Sequence, residues 1–186
     1  MSRSWIAAPA ARIAAVLVAL VAVLSLSGCG ATARESDGPV YLVNNTTAIQ
    51  YAAGSTLDWN INDGVVLSAL PLPAPPADAT TLALPAPAKG ESTFIPFIAP
   101  NGKERSKGDW KLWGDSWKLD GKGALLPSVC PGCLINGNAD LVKKAGGTYS
   151  MGVAYLKDGD QTVVSAYFTT ITIDAGTGSW KFDTPS

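Results

Sequence analysis

The stretch Thr148-Tyr-Ser-Met-Gly-Val-Ala-Tyr-Leu-Lys157, followed by Asp158-Gly159-Asp160 and then by Thr162-Val-Val-Ser-Ala-Tyr-Phe-Thr-Thr-Ile-Thr-Ile173, decides the fold class of this chain. Both runs are rich in β-branched and aromatic residues, which favour β-strands. An Asp-Gly pair between two such runs is typical of a tight turn between antiparallel strands. The stretch therefore predicts a hairpin with strands over 148–157 and 162–173.

Short strand-like runs separated by turn residues continue outward from this hairpin. The 19 glycines and 13 prolines supply the turns, and the spacing of the runs fits a β-sandwich of seven or eight strands. One short helix is predicted over 138–145, because Asn138 suits the N-cap and Gly146-Gly147 ends the helix. The further predicted strands cover 40–43, 56–61, 65–70, 80–84, 92–99 and 179–182.

The corner before the hairpin, Ala145-Gly146-Gly147-Thr148-Tyr149-Ser150-Met151, resembles the corner before strand F of immunoglobulin-like domains. The resemblance implies that the Tyr149 hydroxyl bonds back to the backbone, and that Met151 takes the core position held by Cys in antibody domains. The hairpin and the terminal Gly178-Ser179-Trp180-Lys181-Phe182 also resemble small immunoglobulin-like domains in secreted proteins of Gram-positive bacteria. This resemblance implies an all-β, immunoglobulin-like sandwich over 39–186, without catalytic residues to transfer. The inter-sheet disulfide of antibody domains is absent, because the N-terminal half of the mature domain has no partner cysteine once Cys29 is lipidated.

The N-terminus has the pattern of an export signal. Two arginines accompany an apolar run over 13–26, which has the length of a signal-peptide core and is shorter than the ~20 residues that span a bilayer. Leu26-Ser27-Gly28-Cys29 then resembles the bacterial lipobox. The resemblance implies that diacylglycerol is attached to the Cys29 thiol and that residues 1–28 are removed as a lipoprotein signal peptide. The alternatives are an ordinary signal cleaved after 31–33 and an uncleaved anchor.

Lipidation at Cys29 makes the membrane the first expected partner of the protein. Two acyl chains hold a protein stably on a bilayer, whereas a single chain is marginal. Residues 29–38 are predicted to be a flexible tether, because the part after Cys29 is small and polar. We therefore expect a protein of the cell membrane that is lipid-anchored and faces the extracytoplasmic side.

Composition argues against several classes of function. The net charge is −1, and it is −3 once residues 1–28 are removed, which is too mild and too mixed for a nucleic-acid-binding face. The chain has no histidine, so it lacks the common general base, the usual zinc and copper ligand, and every Ser-His-Asp or Cys-His arrangement. We predict no catalytic residues, no metal site and no cofactor.

Cys130-Pro131-Gly132-Cys133 is the first candidate site. A Cys-x-x-Cys pair suggests redox chemistry where one thiolate is activated. Outside the membrane the same pair favours a disulfide that staples a turn, because that compartment is oxidising. A metal site needs further free Cys or His ligands, which the chain does not supply once Cys29 is lipidated. The disulfide between Cys130 and Cys133 is the main interpretation, with a redox pair, free thiols or a metal site as alternatives.

The second candidate site is the segment Asp109-Trp110-Lys-Leu-Trp113-Gly-Asp-Ser-Trp117-Lys-Leu-Asp120, in which Trp-Lys-Leu occurs twice. The repeat predicts a hairpin with Trp110 and Trp117 facing each other. Exposed tryptophans stack on sugar rings or grip protein partners. Cross-strand tryptophan pairs also stabilise hairpins, and a sandwich edge can bury them. Trp110, Trp113 and Trp117 are therefore either ligand-binding residues or packing residues.

These observations lead to a non-enzymatic binding or adhesion module on the cell surface, with a protein or a cell-wall glycan as its ligand. The tryptophan segment supplies the candidate contacts, and Cys29 supplies the anchor. Two other classes stand beside it. One is a thiol-disulfide redox protein that uses Cys130 and Cys133, and the other is a passive structural protein of the envelope.

Overall fold

The structure is a computed structural model, and it describes residues 35–47, 49–61, 65–68, 87–88, 90–119 and 128–183. The predicted signal peptide, Cys29 and the strand over 80–84 lie outside these ranges. The helix α1 covers Ala139–Ala145, and none of the helices within these ranges has the length and apolar character that crossing a bilayer requires. The strands are β1 Tyr41–Asn44, β2 Val65–Ser68, β3 Thr93–Pro100, β4 Leu112–Trp113, β5 Trp117–Lys118, β6 Asn136–Gly137, β7 Gly147–Lys157, β8 Thr162–Ile173 and β9 Trp180–Phe182.

The predicted hairpin is confirmed as β7 and β8. The two strands pair antiparallel along their whole lengths, with one bulge between Tyr155 and Leu156. Strands β3 to β9 form one antiparallel sheet in the order β6-β4-β3-β7-β8-β9, and β5 also pairs with β3. A separate antiparallel pair is formed by β1 and β2. The predicted all-β class with one short helix is therefore confirmed.

One face of the seven-stranded sheet, which we call the first face, carries the larger apolar core. Alternate side chains of a strand point to the same face, and Phe94 and Ile98 of β3 and Met151 and Val153 of β7 lie on this one. Elements outside the sheet cover it. The buried side chains that cover it come from β1 (Leu42), from α1 (Val142) and from loops (Leu57, Val129 and Leu134).

The opposite face, the second face, carries a smaller core. Phe97 of β3, Leu156 of β7 and Ala166 of β8 belong to it. The loop between β3 and β4 packs over this face and contributes Trp110. The sheet is therefore covered by protein on both sides near β3 and β7.

A buried carboxylate holds the loop between β3 and β4 against the second face. Glu104 is 5% exposed, and its Oε1 accepts hydrogen bonds from the Gly102 N–H at 2.8 Å and from the Ser150 hydroxyl at 2.6 Å. Burial of a carboxylate is costly unless such donors satisfy it. The loop is therefore a fixed part of the fold.

The corner between α1 and β7 has the contacts that the resemblance to immunoglobulin-like domains implied. Asn138 caps α1 by accepting a hydrogen bond from the Leu141 N–H at 3.0 Å, which confirms the predicted helix. Gly146 ends the helix with a φ of 62°. The Tyr149 hydroxyl donates to the Gly146 carbonyl at 2.9 Å, and Met151 is fully buried.

The strand predicted over 56–61 is wrong. In the described chain, Leu57 makes a β-bridge to Trp180 of β9, and the Trp59 carbonyl accepts a hydrogen bond from the Gly132 N–H at 3.0 Å. The alternation in the sequence does place Leu57 and Trp59 against the first-face core. Because the backbone of the segment is shared between two different partners, it forms no continuous ladder.

Candidate binding surface

Cys130 and Cys133 form a disulfide, with 5.0 Å between their Cα atoms, at the 3-10 turn Pro131–Cys133. Cys130 is 0% exposed and belongs to the first-face core. The Ser128 hydroxyl donates a hydrogen bond to the Cys133 sulfur at 3.1 Å. Thiol-disulfide exchange needs an accessible sulfur. Cys130 is enclosed and Cys133 is half-buried, so this geometry favours the structural staple over a redox pair that exchanges through Cys130.

Gly132, inside the disulfide loop, lies so close to residues 59 and 60 that a side chain does not fit. A Cβ at this position would lie 2.7 Å from the Trp59 carbonyl oxygen and would also clash with the Asn60 side chain. We expect Gly132→Ala to lower the free energy of unfolding by about 1–3 kcal/mol, because backbone has to move. Urea unfolding measures the change. Gly108→Ala is the matched control, since nothing lies within 4 Å of its Cβ position, and equal stability of the two variants contradicts this prediction.

Two of the three candidate tryptophans are packing residues of the second face. Trp110 is 5% exposed, and its ring stacks on Phe97 with 4.8 Å between the ring centroids. Its Nε1–H donates to the Glu104 carbonyl at 3.0 Å. Trp113 is half-buried, lies opposite Phe97 in the ladder between β3 and β4, and packs against the same core. The fold itself therefore uses both rings.

The hairpin predicted between Trp110 and Trp117 is wrong. Strands β4 and β5 lie one after the other along the same edge of β3. The interruption between them falls beside Pro96, whose carbonyl accepts a hydrogen bond from the Gly114 N–H at 2.9 Å. Pro96 has no N–H to donate in return, so the ladder cannot continue past it. The register shifts by one residue at this interruption.

Trp117 is the exposed member of the three. It lies opposite Phe94 on the first face, and 43% of its surface is exposed. Its ring stacks on Phe94 with 6.4 Å between the centroids and 20° between the planes. The neighbouring Lys118 is also exposed, and its side chain alternates to the other face. The candidate surface is thus the edge formed by Trp117 and Lys118, which we call the β5 edge.

Trp117 is one end of a row of aromatic rings that crosses the first face. Phe94 contacts Tyr155 with 6.2 Å between centroids, and Tyr155 contacts Tyr167 with 5.8 Å. At the far end, a Cβ built on Gly38 would lie 3.4 Å from the Tyr167 ring. This aromatic row, Trp117-Phe94-Tyr155-Tyr167, connects the β5 edge to the N-terminal segment.

Three titratable groups in or near the aromatic row have shifted pKa values. Burial raises the pKa of Tyr155 and of Tyr167, so both phenols are neutral at physiological pH. The hydroxyls of Thr93 and Ser116 donate hydrogen bonds to Asp160 and lower the pKa of its carboxyl. In the described part of the chain, no three Cys, Asp or Glu side chains are grouped as metal ligands.

A second feature, which the sequence pattern did not predict, is the fixed position of the N-terminal segment on the edge of β8. The Asp37 N–H donates to the Ala166 carbonyl at 3.0 Å, and the Asp37 carboxylate accepts from the Ala166 N–H at 2.7 Å. The Ser36 hydroxyl accepts from the Phe168 N–H at 3.0 Å. Arg105 forms an ion pair with Asp37 at 2.6 Å. We call Ser36, Asp37 and Arg105 the N-terminal clamp.

The clamp includes two residues, Ser36 and Asp37, of the predicted flexible tether over 29–38. Its small polar composition indicated flexible coil, but Ser and Asp side chains also accept hydrogen bonds from backbone N–H groups. Ser36 and Asp37 use this capacity on β8. The last residues of the predicted tether are therefore attached to the sheet.

Comparison with known proteins adds no family assignment. No protein-family model, curated protein or solved structure matches this chain. The function is therefore inferred from the disulfide, the β5 edge and the N-terminal clamp.

Proposed function

We propose that this protein is a lipid-anchored protein of the extracytoplasmic side that acts by binding and not by catalysis, with the β5 edge as its contact surface. In this proposal the domain is an immunoglobulin-like sandwich, held on the membrane by diacylglycerol on Cys29. The observation that carries the proposal is the 43% exposure of Trp117 on a strand that is backed by the buried Phe94.

Trp117 has the properties of an interaction hot spot. An indole ring offers a large contact area with few rotatable bonds, and tryptophan is enriched among the residues that dominate binding energy. The stack on Phe94 holds the ring in place before any ligand arrives. A preorganised side chain loses little conformational entropy on binding. Such a ring can contact a protein surface, a glycan ring or the lipid–water interface.

The disulfide and the corner at Tyr149 support the location and the fold class in this proposal. A disulfide between Cys130 and Cys133 is expected in an oxidising compartment and is rare in the cytosol of mesophiles. The bond from the Tyr149 hydroxyl to the Gly146 carbonyl matches the tyrosine corner of immunoglobulin-like sandwiches. Both features fit the exported domain that the lipobox at Cys29 predicts.

The available chemistry supports binding over catalysis. The chain has no histidine, the phenols of Tyr155 and Tyr167 are neutral, and the Cys130 sulfur is enclosed. The commonest general base is therefore missing, and the Cys130 sulfur is out of reach.

Site-specific photocrosslinking in intact cells tests the proposal. A photoreactive phenylalanine analogue is placed at position 117, and in a separate chain at position 141. Leu141 is the matched control, because it is an exposed large apolar residue on α1. We expect adduct formation at position 117 to exceed that at position 141 about tenfold, since hot-spot contacts are concentrated on few residues. The mass of the adduct identifies a protein, a glycan or a lipid.

Two outcomes contradict the proposal. Equal crosslinking at positions 117 and 141 shows that the β5 edge is not a preferred contact. A mature chain without a fatty-acid adduct on Cys29 removes the anchor and, with it, the stated location.

A further inference from the structure

We propose that the β5 edge contacts the lipid–water interface of the bilayer to which the chain is anchored. This inference rests on the proposed lipid anchor at Cys29 and names the partner of the proposed binding surface. It combines three observations: the fixed start of the domain at the N-terminal clamp, the level of Trp117 in the sheet, and the chemistry of Trp117 and Lys118.

The N-terminal clamp determines where the chain leaves the domain toward the anchor. Asp37 exchanges hydrogen bonds with Ala166 of β8, and Arg105 joins Asp37 to the same strand by donating to the Val164 carbonyl at 3.1 Å. Ser36 adds a further hydrogen bond to β8. The domain therefore begins at Ser36, at the edge of the sheet, and the connection from Cys29 to the domain reaches it there.

The short stretch of chain before the clamp keeps this part of the sheet near the membrane. Cys29 and Ser36 are seven residues apart, and a fully extended chain of that length spans no more than about 25 Å. The surfaces of the domain that lie close to the clamp are consequently the ones that meet the bilayer most often.

Trp117 lies at the same level along the strands as the clamp. The ladders pair Trp117 with Phe94, Phe94 with Tyr155, and Tyr155 with Ser165, which precedes the clamped Ala166. Strand β5 is three strand spacings from β8, which corresponds to about 14 Å. The aromatic row thus has the N-terminal segment at one end and the exposed indole at the other.

The two side chains of the β5 edge suit a lipid headgroup region. Indole rings are enriched at membrane–water interfaces, where an apolar ring with a polar N–H is favoured. The Lys118 ammonium is attracted by anionic headgroups. The anchor makes this second contact intramolecular, so a contact that is weak by itself is still populated.

Fluorescence quenching of the lipidated full-length mature protein tests the inference. The protein is reconstituted into vesicles of phosphatidylcholine and phosphatidylglycerol that carry brominated acyl chains, which quench tryptophans at the bilayer. We expect quenching in the wild type and loss of most of it in Trp117→Phe. Trp113→Phe is the matched control, because that ring is half-buried on the second face, and it should keep the wild-type quenching.

A linker variant gives an independent measurement. Twenty glycine and serine residues inserted between Ala33 and Arg34 lengthen the chain before the clamp without touching the domain. Because effective concentration falls roughly as the −3/2 power of linker length, quenching of Trp117 should fall several-fold.

The outcomes separate this inference from the proposed function. With Cys29 shown by mass spectrometry to be acylated, equal quenching in wild type and Trp117→Phe overturns the membrane contact and leaves the anchor in place. Retention on cell-wall glycan or on a protein that depends on Trp117, without quenching, overturns it in favour of that other ligand. An unacylated Cys29 overturns the inference and the proposed function together.

Discussion

Replacement of Cys29 by serine is expected to remove all fatty-acid label from the protein. The hydroxyl of serine cannot form the thioether that the lipobox resemblance implies. Each buried CH₂ of an acyl chain contributes about 0.8 kcal/mol, and two chains are needed for a stable anchor. The purified mature wild-type protein should therefore float with vesicles almost completely, whereas a Cys29→Ser chain produced without residues 1–28 should stay in the aqueous phase.

The other two cysteines provide the control for this experiment. The chain has three cysteines in all, and Cys130 and Cys133 are joined in the disulfide. A double Cys130→Ser, Cys133→Ser variant should keep the wild-type amount of label. Label that persists in Cys29→Ser would show that another residue carries the lipid or that the signal is of a different type.

Trp110→Ala is expected to be strongly destabilising, whereas Trp117→Ala is expected to be mild. Trp110 is buried, stacked on Phe97 and hydrogen-bonded to the Glu104 carbonyl. Its truncation should cost about 3–5 kcal/mol, because it removes a large ring from a packed core. Trp117 is 43% exposed, and loss of its stack on Phe94 should cost about 1 kcal/mol. Thermal and urea unfolding of the two variants measure the difference.

A conservative variant keeps this comparison informative where Trp110→Ala fails to fold. Trp110→Phe retains an aromatic ring over Phe97 and loses the Nε1 hydrogen bond, so a cost of about 1 kcal/mol is expected. A loss of stability in Trp117→Ala that equals or exceeds that in Trp110→Ala would mean that Trp117 is the packing residue and that the β5 edge is not a binding surface.

The parts of the fold that local sequence determines were predictable. The hairpin of β7 and β8 is specified by its own strand-forming residues and by the turn between them, and α1 by its cap at Asn138. The segment 56–61 shows where such reasoning ends. Its alternation predicted a strand, but its backbone partners, Trp180 and Gly132, lie far away in the chain. Their positions follow from the tertiary fold and not from the local pattern.

The candidate site was predictable in chemistry but not in geometry. The disulfide between Cys130 and Cys133, which the expected oxidising compartment favoured, is confirmed. Trp113 and Trp117 are four residues apart, so an uninterrupted strand would place both rings on one face. The one-residue shift beside Pro96 moves Trp117 to the opposite face instead. That shift comes from pairing with β3, which the tryptophan segment alone does not reveal.

The position of Ser36 and Asp37 has a practical consequence for producing the protein without lipid. A recombinant chain should start no later than Glu35. A chain starting at residue 39 would lack the groups that occupy the backbone N–H donors of Ala166 and Phe168. The strand edge uncovered in this way can pair between molecules and promote aggregation during purification.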